Sequence, residues 1–206
     1  MPCSFKTALE RLTREKAAGP SPTFSVFDLF ATIEIIDTKP IGRNKLAEEL
    51  EVGEGVVRTI LRRLTDAGLV ETSKAGCSLT AKGMRLWKEC SSVLRKAQIM
   101  KNELTPTEHS FGVLIRNAGS KVKSGIEQRD AAILTGTRSV TTIVSKNRLL
   151  IIPSVSEDVA RDFPNAAREI VKLFGPEEND AIVISSAENG KKAEYGALAA
   201  AWTLLS

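Results

Sequence analysis

Histidine, tyrosine and cysteine are scarce: the 206 residues include one His, one Tyr and three Cys. Cys3, Cys77 and Cys90 are dispersed, odd in number and without a CxxC pair, which argues against a disulfide framework and for reduced thiols. A zinc site would need all three together with His109, at spacings unlike known ligand patterns, so neither metal nor cofactor is expected. His109 is read as a residue opening a strand. A lone histidine with no evident partner also leaves little for acid–base or nucleophilic chemistry, and no catalytic residue is assigned. Long apolar runs are missing too. Residues 24–36 are interrupted by Asp28 and Glu34, and residues 196–205 are too few to span a bilayer. Residues 1–16 alternate charge with apolar side chains, unlike a secretory signal. The expectation is a cytoplasmic chain with no membrane segment.

What is present is ordinary globular composition, 42 % hydrophobic and 26 % charged, enough for one large or two small cores. The net charge of +4 is modest, but it is not spread evenly. Up to Leu104 there are seventeen Lys and Arg against thirteen Asp and Glu; from Thr105 the count is twelve against twelve. Arg58, Arg62, Arg63, Lys74, Lys82, Arg85, Lys88, Arg95 and Lys96 form a basic band opposed by Asp66, Glu71 and Glu89. Polyanions bind such bands, although a solvated helix face has the same composition.

Apolar spacing divides the first half into helices. Phe5, Leu9 and Leu12 recur at helical period behind Ser4, up to a stop at Gly19-Pro20-Ser21-Pro22. Residues 24–37 and 43–50 predict two more helices, and Glu51-Val52-Gly53 a turn into a fourth over 54–67, closed by Gly68. The period then shortens: 69–73 and 77–80 are strand candidates around Lys74-Ala75-Gly76. Thr80 is read as the cap of a long helix to about residue 104, with Trp87, Cys90, Leu94 and Ala97 as an apolar stripe suited to pairing two copies of the chain. Thr105-Pro106 ends it. Beyond lie strand 109–116, helix 122–134, a hairpin of 140–145 and 148–152, helix 163–173, strand 181–185 and helix 192–204. This βαββαβα order suggests a ferredoxin-like or related α/β domain.

On a helical wheel Val57, Ile60, Leu61 and Leu64 make one apolar stripe, with Gly55, Thr59, Arg62 and Asp66 opposite and Arg58 and Arg63 on the flanks. Such a helix can lock onto a scaffold by its stripe while polar and basic side chains reach base edges and phosphates. The stretch GRNKLAEELEVGEGVVRTILRRLTDAGLVETSKAGCSLTAKG resembles the winged helix-turn-helix of bacterial and archaeal transcriptional regulators. In those families the segment matching LAEEL positions, VVRTILRRL recognises, GLVE begins the wing and LTAKG leaves it. The resemblance covers residues 24–104 and implies a module that binds double-stranded DNA; with the apolar stripe of the long helix, the expectation is a homodimer. Two departures stand out: Gly53 replaces the usual Ser or Thr cap, and Glu54 puts a carboxylate where phosphate would lie. The expected DNA contacts are therefore Arg58, Thr59, Arg62 and Arg63, Lys74 at the wing tip, and Arg43 and Lys45 on the positioning helix.

GIEQRDAAILTGTRSVTTIV and AEYGALAAAWTLL further resemble a family of uncharacterised archaeal transcriptional regulators, which implies a C-terminal domain but no ligand. The division expected is 1–23 leading helix and linker, 24–80 winged helix-turn-helix, 81–105 connecting and dimerisation helix, and 106–206 an effector or oligomerisation domain. Gln128, Arg129, Thr135, Thr137 and Arg138 are the candidate lining of a shallow pocket for a small anionic effector, by fold-level analogy. Glu127 with Asp130, and Thr135-Gly136-Thr137-Arg138, match no catalytic signature. Two other classes stay open: a winged helix used for protein contacts, and a ligand-processing enzyme with a regulatory winged helix.

Overall fold

A computed structural model describes residues 4–14 and 24–205; Cys3 and the helix stop expected at 19–22 fall outside them. The fold is α+β, as expected, and the chain divides into two compact units at Ser91 and Ser92.

In the first unit, α1 (Ser4–Thr13) buries Phe5 and Leu9. α2 (Val26–Thr38) starts on a capping box between Ser25 and Asp28 and buries most of its circumference, from Leu29 to Ile36. Phe30 meets Phe5 edge-on at 5.8 Å between ring centres and Trp87 at 5.4 Å, an aromatic trio that holds α1 onto the core. α3 (Arg43–Leu50) ends with Glu51 in left-handed backbone, φ 51°, which turns the chain sharply into α4 (Glu54–Asp66). The wing follows as β1 (Val70–Ser73) and β2 (Gly76–Leu79), turning at Lys74-Ala75. Ile41 adds a third rung: its N–H donates to the Cys77 carbonyl at 3.2 Å, and the Cys77 N–H donates to the Ile41 carbonyl at 2.9 Å. That close crossing requires Gly76, at φ 124°, where a Cβ would lie 2.7 Å from the Ile41 carbonyl. α5 (Ala81–Val93) is capped by Thr80, whose hydroxyl accepts from the Gly83 N–H at 3.1 Å.

The expected long helix over 81–105 is corrected here. α5 stops at Val93 and the chain continues as β3 (Leu94–Ile99), paired along all six residues with β4 (His109–Ile115). Leu-Arg-Lys-Ala-Gln-Ile is made of good helix formers, but Ser91-Ser92-Val93 weakens the helix before it, and a full strand ladder outweighs local propensity.

The second unit continues through a 3-10 turn (Gly119–Lys121), α6 (Ile126–Ile133), β5 (Ser139–Lys146), β6 (Leu149–Ile151), α7 (Val159–Asp162), α8 (Pro164–Phe174), β7 (Ala181–Ala187) and α9 (Gly190–Trp202). The five strands are ordered β3-β4-β7-β5-β6 and every neighbouring pair is antiparallel. In a ferredoxin-like unit the second strand of the hairpin would lie inside the sheet and the last strand beside the first at its edge. Here the last strand, β7, lies between β4 and β5, and β6 takes the edge. Composition explains the exchange: all seven residues of Ala-Ile-Val-Ile-Ser-Ser-Ala are buried, which suits a central strand, whereas three-residue β6 is too short for one.

Leu114, Ile143, Ile182 and Ile184 face Val159, Ala167, Ile170 and Phe174 of α7 and α8 in one fully buried cluster. α9, rich in alanine, lies close on β4 and β7 across the other face and packs against α6. The approach is tight enough that a Cβ at Gly196 would come within 2.4 Å of the Ser185 hydroxyl. β6 pairs only with Val144, Ser145 and Lys146, so residues 139–143 of β5 have β7 as their single strand neighbour.

Candidate nucleic-acid interface

The apolar stripe of α4 is buried as the wheel requires: Val57, Ile60 and Leu64 are 0 % exposed and Leu61 5 %. Arg58 and Arg62, four residues apart, stand on the solvent side and are exposed. Arg43 and Lys45 of α3 and Lys74 at the wing turn are exposed as well. None of these five cations has an ion-pair or hydrogen-bond partner among the described residues. Thr59 is half-buried, and its hydroxyl donates to the Gly55 carbonyl at 3.0 Å, so it is partly occupied by its own helix. Gly53 caps α4 with no side-chain bond, and nothing lies within 4 Å of a Cβ built at Gly53 or Gly55. Backbone amides at this helix start are thus open to an anion, with the Glu54 carboxylate opposing it.

Arg63 departs from expectation. It is half-buried, and its guanidinium donates to the carbonyls of Leu12 and, at 3.0 Å, Arg14, while lying 5.1 Å from the Phe24 ring centre. Arg63 therefore closes the C-terminus of α1 instead of facing solvent. A wheel places it on the flank of α4 but cannot show that α1 covers that flank. Lys82 is similarly committed, donating to the Ala67 carbonyl at 2.8 Å just beyond α4. The stripe expected to pair two chains is also used internally: Trp87 joins the aromatic trio, Cys90 is buried, and Leu94 and Ala97 belong to β3.

The expected effector residues do not converge. Gln128 is buried and donates to the Thr203 hydroxyl at 2.7 Å. Thr137 is buried, 2.8 Å from the Ser185 hydroxyl and donating to the Ser186 carbonyl at 2.9 Å. Thr135 donates to the Ala132 carbonyl at 2.7 Å. Arg138 pairs with Glu188 on the surface, a hydrogen bond that holds the Glu188 carboxyl below the usual carboxylate range. Arg129, exposed and paired with Asp130 at 3.1 Å, is the member of this set that borders a cavity. Glu127 lies 3.9 Å from Lys123, so Glu127 and Asp130 are each turned to a neighbouring cation. His109 is half-buried at the start of β4. Among the described residues, no cluster of three His, Cys, Asp or Glu is placed to hold a metal ion. No helix among them is long and apolar enough to cross a membrane.

Helix, turn, helix and hairpin in one unit and a five-stranded antiparallel sheet in the other define the class: an α+β chain with a winged helix-turn-helix module. Residues 25–85 match the model of the PH0730-like N-terminal domain, and residues 106–204 match a domain of unknown function (DUF4443). The chain is similar to the solved structure of hypothetical protein PH0730 from Pyrococcus horikoshii OT3, at 28 % identity and a TM-score of 0.72. That similarity covers 88 % of this chain and 92 % of the other. No curated protein matches.

Proposed function

We propose that the protein is a sequence-specific transcriptional regulator that binds double-stranded DNA through α4, working in the cytoplasm. The observation that carries this reading is the pair Arg58 and Arg62: exposed, one helical turn apart, without a partner among the described residues, on a helix whose opposite face is buried. An uncommitted arginine fork is suited to the guanine edge or to phosphate. Lys74 at the wing turn and Arg43 and Lys45 on α3 would contact the backbone on either side. Two copies on a palindromic site would place their α4 helices one DNA turn apart, about 34 Å. Since the α5 stripe is consumed within the chain, such pairing needs another surface.

The test is to select bound sequences from random DNA and compare the wild type with Arg58→Ala/Arg62→Ala on the selected site. The expected loss is about 1 to 3 kcal/mol per base contact, with unchanged thermal unfolding. Selection that enriches no sequence, or equal affinity of the double variant, contradicts the reading and favours a winged helix that contacts protein. Light scattering with and without the selected duplex measures the number of copies bound.

A further inference from the structure

In the second unit a cleft of about 220 Å³ lies where the start of α6 meets the part of β5 that β6 does not cover. One end of the cleft is polar. Gly125, in left-handed backbone at φ 79°, is the N-cap of α6 and supplies no side-chain cap; the nearest hydroxyl, Ser124, is 3.5 Å from the Ile126 N–H, too long for a good hydrogen bond. Arg129, one turn into the same helix, also lines the cleft. Thr142 of β5 closes this end. Its hydroxyl is only 3.4 Å from the position a Cβ on Gly125 would take, and it is the buried side-chain polar atom left without a hydrogen-bond partner among the described residues. Thr142 is 5 % exposed, so bulk water does not satisfy it, and an orphaned hydroxyl at such a place is a cost that a ligand can remove. The other end is apolar: Leu104, Ile152, Pro153, Val155 and Phe163.

We infer that this cleft is a binding site for a small monocarboxylic acid, its carboxylate on the α6 amides, Thr142 and Arg129, and its apolar body against Leu104, Ile152, Pro153 and Phe163. Helix-start amides and a single arginine suit one negative charge. A dianion such as phosphate is disfavoured, because Glu127 stands in the first turn of α6 and because much of the remaining wall is apolar. The volume equals about seven waters at roughly 30 Å³ each, which limits the ligand to a compact acid. A larger amphiphile would leave its tail in solvent beside Val155, which is 71 % exposed at the rim. The site is independent of whether the first unit binds DNA.

The experiment uses the full chain, isotopically labelled, and three probes: phenylacetate, its neutral amide phenylacetamide, which matches it in size, and the smaller inorganic phosphate. With phenylacetate the amide resonances of Gly125, Ile126 and Thr142 shift and saturate, with affinity at least tenfold above that for phenylacetamide or phosphate. Thr142→Val weakens phenylacetate binding at least fivefold without lowering the melting temperature, since no existing hydrogen bond is lost, and Thr142→Ser restores binding. Arg129→Met weakens it as well. The proposal is overturned if no probe shifts these amides, if the amide or phosphate binds as tightly as the acid, or if Thr142→Val binds phenylacetate like the wild type.

Discussion

The two units differ in where their uncommitted cations stand: seven of the fifteen Lys and Arg from Ser92 onward lie within ion-pair distance of a carboxylate, whereas the exposed cations of the helix-turn-helix and wing have none among the described residues. In the second, Lys96, Arg116, Lys123, Arg129, Arg138, Arg161 and Lys192 each lie within ion-pair distance of a carboxylate, and Arg116 reaches the buried Asp180 at 2.6 Å. In the first, Arg43, Lys45, Arg58, Arg62 and Lys74 have no such partner among the described residues. Each unit carries two more basic than acidic residues, fourteen against twelve up to Ser91 and fifteen against thirteen from Ser92, so the difference lies in where the cations stand and not in their number. Paired cations fasten a fold or tune a site; unpaired ones on a single module are free to meet a polyanion. Arg63 sharpens the contrast, because it is a basic residue of α4 that was expected outside and is held inside by carbonyl groups.

Removing one member of a committed set should damage stability, and the buried case most. Asp180 is 2 % exposed and accepts from Arg116, from the Asn117 N–H at 2.9 Å and from the Glu177 N–H at 2.8 Å. Asp180→Ala should therefore cost about 3 kcal/mol in urea unfolding, by leaving two backbone N–H groups without an acceptor and Arg116 without its nearest carboxylate. A loss below about 0.5 kcal/mol, the usual range for surface changes, would break the distinction drawn between the units. Arg63→Ala should cost less, about 1 kcal/mol, through the freed end of α1 and the lost contact with Phe24. On a selected DNA site it should matter much less than Arg58→Ala; an equal loss would return Arg63 to the interface.

The smallest effects concern exposed carboxylates. Glu188 is held below the usual range by its hydrogen bond from Arg138, then by charge attraction to Arg138 and Lys192. Glu103 is lowered first by its own backbone N–H and further by those of Asn165 and Ala166, where it caps the start of α8. Because the folded values lie below the unfolded ones, any stability these groups lend is present at neutral pH. It fades as pH falls through the folded midpoint. Carboxyl NMR titration should place both midpoints below the unfolded reference, and Arg138→Gln should raise that of Glu188 while leaving Glu103 alone.

Periodicity made the first unit legible. The α2, α3 and α4 helices, the sharp turn at Glu51 and the wing around Lys74-Ala75 lie within a residue or two of where apolar spacing and turn chemistry put them. Glycines told more than their usual breaking tendency, since Gly76 and Gly83 stand where backbones cross; a Cβ at Gly83 would lie 2.1 Å from the Leu69 carbonyl. What sequence could not reveal depended on partners remote in the chain. β3 reads as helix until β4 is beside it, and the central place of β7 follows from burial on both faces, which no local window contains. The residues expected to line an effector pocket are near in sequence, yet Gln128, Thr135 and Thr137 each turn to a different neighbour. The cleft beside Arg129 instead recruits Thr142 and the residues around Ile152, which no sequence motif links to α6. A Ser-Gly pair before a short helix and a threonine inside an apolar strand were the available hints.

The dependence of DNA affinity on salt tests the central contrast most directly, measured for the wild type, for Arg58→Ala/Arg62→Ala in the first unit and for Arg138→Ala/Arg161→Ala in the second. Each phosphate contact contributes about −0.9 to the slope of log affinity against log salt. The account predicts that the α4 double variant loses affinity and flattens the slope by up to about 2, if both arginines lie on phosphates, while the second-unit double variant keeps the wild-type affinity and slope. Equal losses in the two double variants, or a wild-type slope near zero, would contradict it.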